Sequence, residues 1–353
     1  MILELGKSQT AFNSVAKTDP VVLCAADENY VKPLAVMLHS AAINLRQGNH
    51  LNVVLMDGGI SESSWSGLKE TLHGLPITIH VLRPDRNEVS DLGTSHHITH
   101  TAYFRLLAAR LLPDWIDKVI YLDSDVLVKD DLMELWDMEL EGNYCLAAID
   151  IACPFVDAYT AQKVDKSIKP AVPHFAAISP IRNWRELSLN GSAHYFNSGV
   201  MVLNLARWRR ESIEQKLLAC LRDNQQYVWC WDQYALNVVF AGQWKELPSR
   251  WNQGFHVFEY PDETFSPISQ SDFVDMRDNP ALIHFTTEFK PWDFRPHHPL
   301  RGKFYEALDE TAWKGWRPKQ PQFNLRNWWD RQAVGFIRNW VVNYRKIRGM
   351  IIS

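Results

Sequence analysis

The sequence has little of what marks a disulfide-stabilised, zinc-binding or membrane-spanning protein. Its five cysteines are an odd number among 353 residues and form no C-x-x-C pair, which argues against a disulfide framework and a structural zinc site. No stretch reaches the ~18 uninterrupted apolar residues of a membrane span. The first twenty residues contain no basic region followed by an apolar block. We therefore expect a cytoplasmic protein in a reducing compartment, with membrane contact only peripheral, on the inner face of the cell membrane.

An excess of positive charge and the common nucleotide motifs are missing as well. The net charge of −4 gives no reason to expect a nucleic acid as partner. Neither G-x-G-x-x-G nor G-x-x-x-x-G-K-[ST] occurs, which argues against a dinucleotide fold and a P-loop, and the G-x-S-x-G motif of hydrolases is absent. The 46% hydrophobic and 22% charged residues are typical of a folded globular protein.

The first 150 residues alternate β-rich apolar runs with helical patterns, which is typical of βαβ units. They predict an α/β fold with one Rossmann-like, mostly parallel sheet and helices on both faces. The predicted strands are residues 21–26, 51–57, 77–82, 118–122, 144–149, 195–205 and 282–285. The predicted helices are residues 31–44, 61–73, 101–112, 206–222 and 232–240.

Composition divides the chain into three parts. We predict an N-terminal extension at residues 1–20, a main domain at 21–294, and a linker and C-terminal tail at 295–353. Within the main domain, residues 150–194 are irregular and contain four prolines. Long ordered excursions are usually functional, so we expect these residues to cover one end of the sheet.

Two carboxylates, Asp123 and Asp125, directly follow the predicted strand at 118–122. Ligands of α/β folds bind at the carboxyl ends of parallel strands, and side chains two residues apart in a strand share a face. Both carboxylates can therefore reach one divalent cation. The alternative is an acidic loop that caps the following helix, since Asp130 and Asp131 are close by.

A second cluster places His284 at the end of a short apolar strand and Lys290 six residues later. An imidazole can be a third ligand to the cation, and an ammonium group can pair with phosphate. Two carboxylates with one imidazole favour Mn²⁺, or else Mg²⁺, over zinc. The alternative is a core histidine and a surface lysine.

Three further polar clusters lie at the ends of predicted elements. Asp27 and Asn29 follow the first strand, where the base and ribose of a nucleoside could bind. Asn197 opens the strand at 195–205, and Asp232 and Gln233 begin the helix at 232–240. Asp232 alone could be a helix cap. Together the clusters predict a ligand pocket.

These residues belong to a longer series of motifs. In chain order the motifs are Ala25-Ala-Asp-x-Asn29, Ala102-Tyr-Phe-Arg105, Tyr121-Leu-Asp-Ser-Asp-Val-Leu-Val128, Leu135-Trp-Asp137, Phe196-Asn-Ser-Gly-Val200, Asp232-Gln233, Leu236-Asn237, Arg250-Trp-Asn252 and His284 to Lys290-Pro-Trp292. Over about residues 21–292 the series resembles glycosyltransferase family 8, which includes bacterial lipopolysaccharide α-galactosyl- and α-glucosyltransferases and, more distantly, glycogenin.

The resemblance implies a GT-A catalytic domain at 21–294 and a retaining transfer of a hexose from UDP-galactose or UDP-glucose to a saccharide acceptor. It implies that Asp123, Asp125 and His284 hold Mn²⁺ and that Lys290 neutralises the leaving pyrophosphate. The residues implied to contact the nucleotide are Ala25, Asp27, Asn29, Ser124 and Thr287. The residues implied to face the donor sugar are Arg105, Asn197, Asp232 and Gln233.

One position departs from the family pattern. The family usually has glycine three residues after the histidine, where the backbone approaches the phosphate, and this chain has Thr287. Retention requires either a covalent intermediate or attack from the face that the leaving group occupied. Because an amide such as Gln233 is a poor nucleophile, we favour same-face attack with the departing phosphate oxygen as base.

Two other functions are compatible with the sequence. A sugar-nucleotide nucleotidyltransferase also pairs carboxylates with a metal on an α/β sheet, although the Gly-rich basic loop typical of that class is absent. A catalytically silent UDP-sugar- or glycan-binding protein would fit Thr287 and the 15 tryptophans.

The tail at 324–353 has the pattern of an amphipathic helix. Its large apolar residues recur at steps of three or four, and Arg331, Arg338 and Arg345 lie away from that face. Six basic residues and one acidic residue give the tail a net charge of +5, against −9 for the rest of the chain. Aromatic residues such as Trp329 and Trp340 suit the headgroup region of a bilayer. The pattern predicts docking on an anionic membrane; a helix packed on the protein itself or on a second subunit is the alternative.

We expect a protein that ends near Gln322 to lose binding to anionic liposomes while it keeps turnover on a water-soluble acceptor. Each basic residue near an anionic leaflet contributes roughly 1 kcal/mol, so several together can hold the protein reversibly. Co-sedimentation with liposomes at low salt measures this. Full-length protein that stays in the supernatant would contradict membrane docking.

Overall fold

The computed structural model describes residues 1–4, 18–93, 99–168, 179–286, 290–294 and 298–319. The strands are β1 (Ile2–Glu4), β2 (Val21–Ala26), β3 (Leu51–Asp57), β4 (Ile77–Leu82), β5 (Lys118–Leu122), β6 (Val126–Val128), β7 (Cys145–Ile149), β8 (Phe196–Asn204), β9 (Trp244–Glu246), β10 (Gln253–Gly254) and β11 (Leu282–His284). The α-helices are α1 (Val31–Ile43), α2 (Glu62–Thr71), α3 (Ala108–Leu111), α4 (Met133–Trp136), α5 (Ala158–Val164), α6 (Leu205–Arg210), α7 (Ile213–Asp223), α8 (Trp231–Val239), α9 (Gln270–Asp278) and α10 (Arg301–Leu308). Short 3₁₀ helices lie at Glu28–Tyr30, Arg86–Val89, His100–Leu107, Ser249–Asn252, Phe255–Glu259 and Glu263–Phe265.

Eight strands form the main sheet in the order β1-β4-β3-β2-β5-β8-β7-β9. Only the pairings of β8 with β5 and β7 are antiparallel, so the sheet is mostly parallel, as predicted. Four of the five strands predicted in the first 150 residues have the predicted limits, and β7 begins one residue later. Side chains of β2 alternate between two hydrophobic clusters, one on each face of the sheet, because successive residues of a strand point to opposite sides.

A second, three-stranded sheet has the order β10-β11-β6. Its strands have only two or three residues, too few for a recognisable alternation in the sequence, and apart from the residues of β11 it was not predicted. β11 runs antiparallel to β6, with His284 opposite Val126, and parallel to β10, with Gly254 opposite His284. This small sheet continues from the carboxyl end of β5 and therefore lies beside the predicted ligand pocket.

Two predicted helices differ in the structure. The segment predicted as one helix at 206–222 is two helices, α6 and α7, because Ser212 between them has the left-handed values φ 53° and ψ 46°. The segment predicted as a helix at 101–112 is a 3₁₀ helix at His100–Leu107 followed by one turn of α3. In the irregular region 150–194, the structure adds the short helix α5.

Both termini of the described chain contact the main domain. β1 pairs with β4 at the edge of the main sheet, although it lies in the predicted N-terminal extension. α10 lies in the predicted linker and packs on α1. There Phe304 is fully buried, with its ring centroid 5.0 Å from that of Trp292 and 5.5 Å from that of Phe285.

Two further predictions concern the cysteines and membrane-spanning helices. All five cysteines lie in described residues and are free thiols. Among the described helices, none combines the length and the apolar character needed to cross a membrane. The tail at 324–353 lies outside the described residues.

We expect Phe304→Ala to destabilise the whole main domain by about 3–5 kcal/mol, because it removes a buried ring between two aromatic partners. Urea unfolding followed by intrinsic fluorescence measures the change. Phe294→Ala is a matched control, since the Phe294 ring is 37% exposed, and should cost under about 1 kcal/mol. An equally small loss of stability in the two variants would mean that α10 does not contribute to the stability of the main domain.

Candidate functional site

Three potential metal ligands converge where the two sheets meet. Asp123 is held to β8 because its backbone N–H donates to the carbonyl of Gly199 (2.8 Å), whereas the carbonyl of Asp125 accepts from the N–H of Phe285 (3.0 Å) in the small sheet. The chain thus passes from one sheet to the other between the two aspartates. His284 Nε2 lies 3.6 Å from Asp123 Oδ2 and 3.4 Å from Asp125 Oδ1.

The ligand atoms of Asp123, Asp125 and His284 all lie within 4.8 Å of one another. His284 and Asp125 are buried, and Asp123 is half-buried. Two carboxylates and one imidazole suit a divalent cation such as Mn²⁺ or Mg²⁺. These are the three residues that the sequence predicted as ligands of one divalent cation.

Gly199 makes room for this group. A Cβ at this position would lie 2.2 Å from Cε1 of His284 and 2.7 Å from Oδ2 of Asp123. Such contacts are far inside van der Waals distance. Because β8 lies between β5 and β7 in the main sheet, its backbone has little freedom to move away. A side chain at position 199 would therefore displace the imidazole.

Lys290 is the cation nearest to Asp125. Its Nζ lies 2.5 Å from Asp125 Oδ2 and also donates to the carbonyl of Phe285 (2.7 Å). Burial lowers the pKa of Lys290, but the charge and hydrogen bond of Asp125, together with Tyr30 and Asp123, outweigh burial and hold this pKa above its usual value. Burial likewise raises the pKa of Asp125, and Lys290 and His284 outweigh it, so the pKa of this carboxyl lies below its usual range.

Arg105 is the second buried cation and joins two carboxylates. Its Nη2 donates to Asp123 Oδ1 (2.7 Å), its Nη1 to the carbonyl of Ser198 (2.9 Å), and its Nε lies 3.1 Å from Asp232 Oδ2. The guanidinium also lies over the ring of Tyr121, 4.1 Å from the centroid. Burial lowers the pKa of Arg105, but the two carboxylates outweigh it, so the group stays charged.

Asp232, at the start of α8, is nearly inaccessible to solvent. Burial raises the pKa of Asp232 to about 6, and the charge of Arg105 only partly offsets this. The preceding residue in the chain, Trp231, has a left-handed φ of 45°. A carboxyl with a raised pKa that is packed against an arginine in a cleft is typical of functional sites.

The amides of Asn197 and Gln233 meet at a fourth carboxylate, Asp150. Asn197 Nδ2 donates to Asp150 Oδ2 (3.1 Å), and Gln233 Nε2 donates to the same oxygen (2.9 Å). Gln233 Oε1 accepts from the backbone N–H of Ser198 (3.0 Å), and Asn197 Oδ1 accepts from that of Gly199 (3.0 Å). These contacts hold both amides in fixed orientations.

The predicted nucleotide residues lie at the end of β2. Ser124 Oγ donates to the carbonyl of Ala25 (2.6 Å), which links this strand to the two aspartates. Asp27 accepts from the backbone N–H of Asn29 (2.9 Å) and from Thr99 Oγ1 (3.0 Å). Thr287, the remaining predicted nucleotide contact, lies outside the described residues.

The structure thus links the predicted metal ligands to the predicted sugar-facing residues through Arg105. Two other residues of this network were not predicted as functional: Asp150, and Asn252, whose Oδ1 lies 2.9 Å from Nδ1 of His284. Asp150 directly follows β7, so the rule that singled out Asp123 could have found it. The sequence marked Asn252 only as part of the motif Arg250-Trp-Asn252 and gave it no role, because its contact with His284 depends on the small sheet.

We expect Gly199→Ala to weaken Mn²⁺ binding at least about 10-fold, because the new methyl group displaces the imidazole of His284, and misplaced ligands lose affinity on this scale. Titration of free Mn²⁺ by electron paramagnetic resonance measures the dissociation constant. Gly302→Ala is the control, since nothing lies within 4 Å of a Cβ at that position. Unchanged Mn²⁺ affinity of folded Gly199→Ala would show that the cation binds elsewhere.

Comparisons with known proteins give the family. A family model described as glycosyl transferase family 8 matches residues 21–295. General stress protein A of Bacillus subtilis (strain 168) is 28% identical over 295 residues, which cover 83% of this chain and 94% of that protein. Lipopolysaccharide 1,2-glucosyltransferase of Escherichia coli (strain K12) is 23% identical over 298 residues, which cover 84% and 80% of the two chains.

Solved structures agree on the fold. The galactosyltransferase LgtC, crystallised with donor and acceptor sugar analogues, superimposes with a TM-score of 0.64 at 24% identity. The superposition covers 86% of this chain and 98% of LgtC. The match confirms the predicted GT-A architecture of a central sheet between helical layers. With a family model that spans most of its length, the chain belongs to glycosyltransferase family 8.

Proposed function

We propose that this glycosyltransferase moves a hexose, galactose or glucose, from its UDP-sugar to a saccharide acceptor with retention of configuration and with the help of a divalent cation. The observation that carries the proposal is the convergence of Asp123, Asp125 and His284 at the carboxyl end of β5. In open α/β sheets, nucleotides bind at the carboxyl ends of the strands.

The residues present fit Mn²⁺. Two carboxylates and one imidazole lie within reach of one ion, and a Cβ at Gly199 would close the space that they share. When bound, the cation would act as a Lewis acid and stabilise the negative charge that builds up as UDP departs. Asp123, Asp125 and His284 would hold it, and the donor set suits Mn²⁺ with Mg²⁺ as the other option.

Lys290 would act on the same developing charge. Its ammonium group is buried, stays protonated and is anchored by Asp125 and the carbonyl of Phe285. A fixed cation in a water-poor site costs little reorganisation when negative charge appears on the leaving group. Arg105, in contrast, donates to Asp123 and to the carbonyls of Ser198 and Ala102, and forms an ion pair with Asp232. We therefore assign Arg105 to holding the carboxylates in place.

The donor sugar would lie between Asp232 and the two amides of Asn197 and Gln233. Gln233 binds Ser198 and Asp150 with both ends of its amide, which supports a positioning role. We favour attack of the acceptor hydroxyl on the face that UDP leaves. In this step the bond from C1 to the phosphate oxygen breaks, the bond from C1 to the acceptor oxygen forms, and the hydroxyl proton passes to the departing phosphate oxygen.

The relatives and the tail support a proposal on the acceptor class. Lipopolysaccharide 1,2-glucosyltransferase of Escherichia coli, like lipopolysaccharide 1,3-galactosyltransferase of Salmonella typhimurium, is named for a lipid-borne saccharide acceptor. The tail at 324–353 has the charge and the aromatic residues to hold the protein on an anionic leaflet. We propose a lipid-linked saccharide as acceptor, reached from the cytoplasmic face of the membrane.

We expect release of UDP from UDP-galactose or UDP-glucose to need a divalent cation and to fall at least roughly 100-fold in Asp125→Asn. A coupled assay for UDP, with and without acceptor and with excess chelator, measures this. Asp130→Asn is the matched control, because Asp130 follows β6 and pairs with Arg250 rather than with any of the three ligands. It should keep nearly full turnover.

Other outcomes would change the assignment. Full turnover in chelator, or in Asp125→Asn, would contradict the metal site. Binding of a UDP-sugar without UDP release, with any saccharide acceptor tried, would favour a silent binding protein. Consumption of a nucleoside triphosphate together with a sugar phosphate would favour a nucleotidyltransferase.

A further inference from the structure

A chain of side-chain hydrogen bonds runs from the metal-ligand candidate His284 to the carboxylate of Asp150. His284 Nδ1 is 2.9 Å from Asn252 Oδ1, and Asn252 Nδ2 donates to Asn197 Oδ1 (3.0 Å). Asn197 Nδ2 in turn donates to Asp150 Oδ2 (3.1 Å). Every member is buried except Asn197, which is half-buried. The chain connects the small sheet, the central strand β8 and the end of β7.

The direction of donation along this chain is fixed at two points. A carboxylate only accepts, so Asn197 must turn its NH₂ group towards Asp150. Independently, the backbone N–H of Gly199 donates to Asn197 Oδ1 (3.0 Å), and a backbone N–H cannot be reversed. Asn197 therefore presents its oxygen to Asn252, which must answer with its NH₂ group.

This direction determines the tautomer of His284. With its NH₂ group used on Asn197, Asn252 offers His284 only an oxygen, so Nδ1 of His284 must carry a proton and donate. The lone pair of the neutral imidazole is then on Nε2, which is the nitrogen that lies 3.6 Å from Asp123 and 3.4 Å from Asp125. Ligand histidines need this arrangement, with one nitrogen bound to an outer partner and the other free for the metal.

We propose that Asn252 is a positioning residue that presents Nε2 of His284 to the cation and ties that imidazole to Asn197 in the donor-sugar pocket. The proposal rests on the metal site of the proposed function. Asn252 thereby couples two halves of the site that lie on different sheets. Loss of the Asn252 oxygen should disturb the metal ligand His284, and loss of the Asn252 NH₂ group should disturb Asn197 in the donor-sugar pocket.

Two substitutions separate the two halves of the amide. Asn252→Leu removes both hydrogen bonds and should weaken Mn²⁺ binding in the presence of UDP by about 10–100-fold. Asn252→Asp keeps an oxygen for His284 but places a second oxygen against Asn197 Oδ1. It should therefore keep the Mn²⁺ dissociation constant within about 3-fold of the unmodified protein, while the KM for the donor sugar rises or kcat falls because the Asn197 amide must turn.

Asn183→Leu is the matched control. Asn183 is as deeply buried as Asn252 and binds Asn224 and Tyr234, far along the chain from the three ligands. Its replacement should lower the midpoint of thermal unfolding and leave Mn²⁺ affinity unchanged. A merely structural role of Asn252 would give the same result in Asn252→Leu, and would overturn the proposal. Equal losses of Mn²⁺ affinity in Asn252→Leu and Asn252→Asp would overturn it as well.

A measurement on the unmodified protein removes the dependence on folded variants. In the complex with diamagnetic Mg²⁺ and UDP, long-range ¹⁵N correlation spectra of labelled histidines should show the proton of His284 on Nδ1, assigned by its loss in His284→Gln. A proton on Nε2 would overturn the proposal. If the unmodified protein binds neither Mn²⁺ nor Mg²⁺, the proposed function itself fails, whereas normal binding with normal Asn252 variants contradicts only this inference.

Discussion

The site depends on how buried negative charge is compensated at the carboxyl end of the main sheet. Asp123 and Asp232 approach the same arginine, and Asp125 contacts the buried ammonium of Lys290. Removing one partner of a buried pair leaves an uncompensated charge, which costs several kcal/mol. Arg105 and Lys290 therefore let these carboxylates remain close together in a poorly solvated pocket. A divalent cation would add a third source of positive charge where the two groups of acids meet.

This arrangement requires two sheets. One strand could place Asp123 and Asp125 on a single face, but it could not bring a histidine from 160 residues later against both of them. The crossing from β5 into β6 solves this, because β6 pairs with β11 and so sets His284 opposite Val126. Behind β11, the aromatic cluster of Phe285, Trp292 and Phe304 fixes the small sheet against α10. Packing on the outer side of the protein thus supports geometry at the pocket.

Sequence alone predicted the elements whose pattern is local. The buried strands β2, β3, β4 and β5 were predicted with their limits because each is a short, mostly apolar run between turns. The carboxylates after β5 were chosen by the same logic. The small sheet was not predicted, because pairing of strands this short depends on distant partners. The break at Ser212 was missed because no glycine or proline marks it in the sequence. Helix α10 was missed because its segment is rich in Pro, Lys and Trp residues.

The space at Gly199 has a consequence for reading related sequences. Three side chains supply the candidate ligands, but a fourth position contributes by having none, since any Cβ there would overlap His284 and Asp123. Other residues of β8 can be substituted together with the core residues that they contact. A side chain at position 199 would instead fill the space beside His284 and Asp123. A relative that keeps both aspartates and the histidine but has alanine or serine here would keep the ligand residues and lack the space in which they could hold a cation. On the proposed metal site, glycine at this position would therefore separate relatives that can hold a cation from relatives that cannot. The ligand residues alone would not separate them.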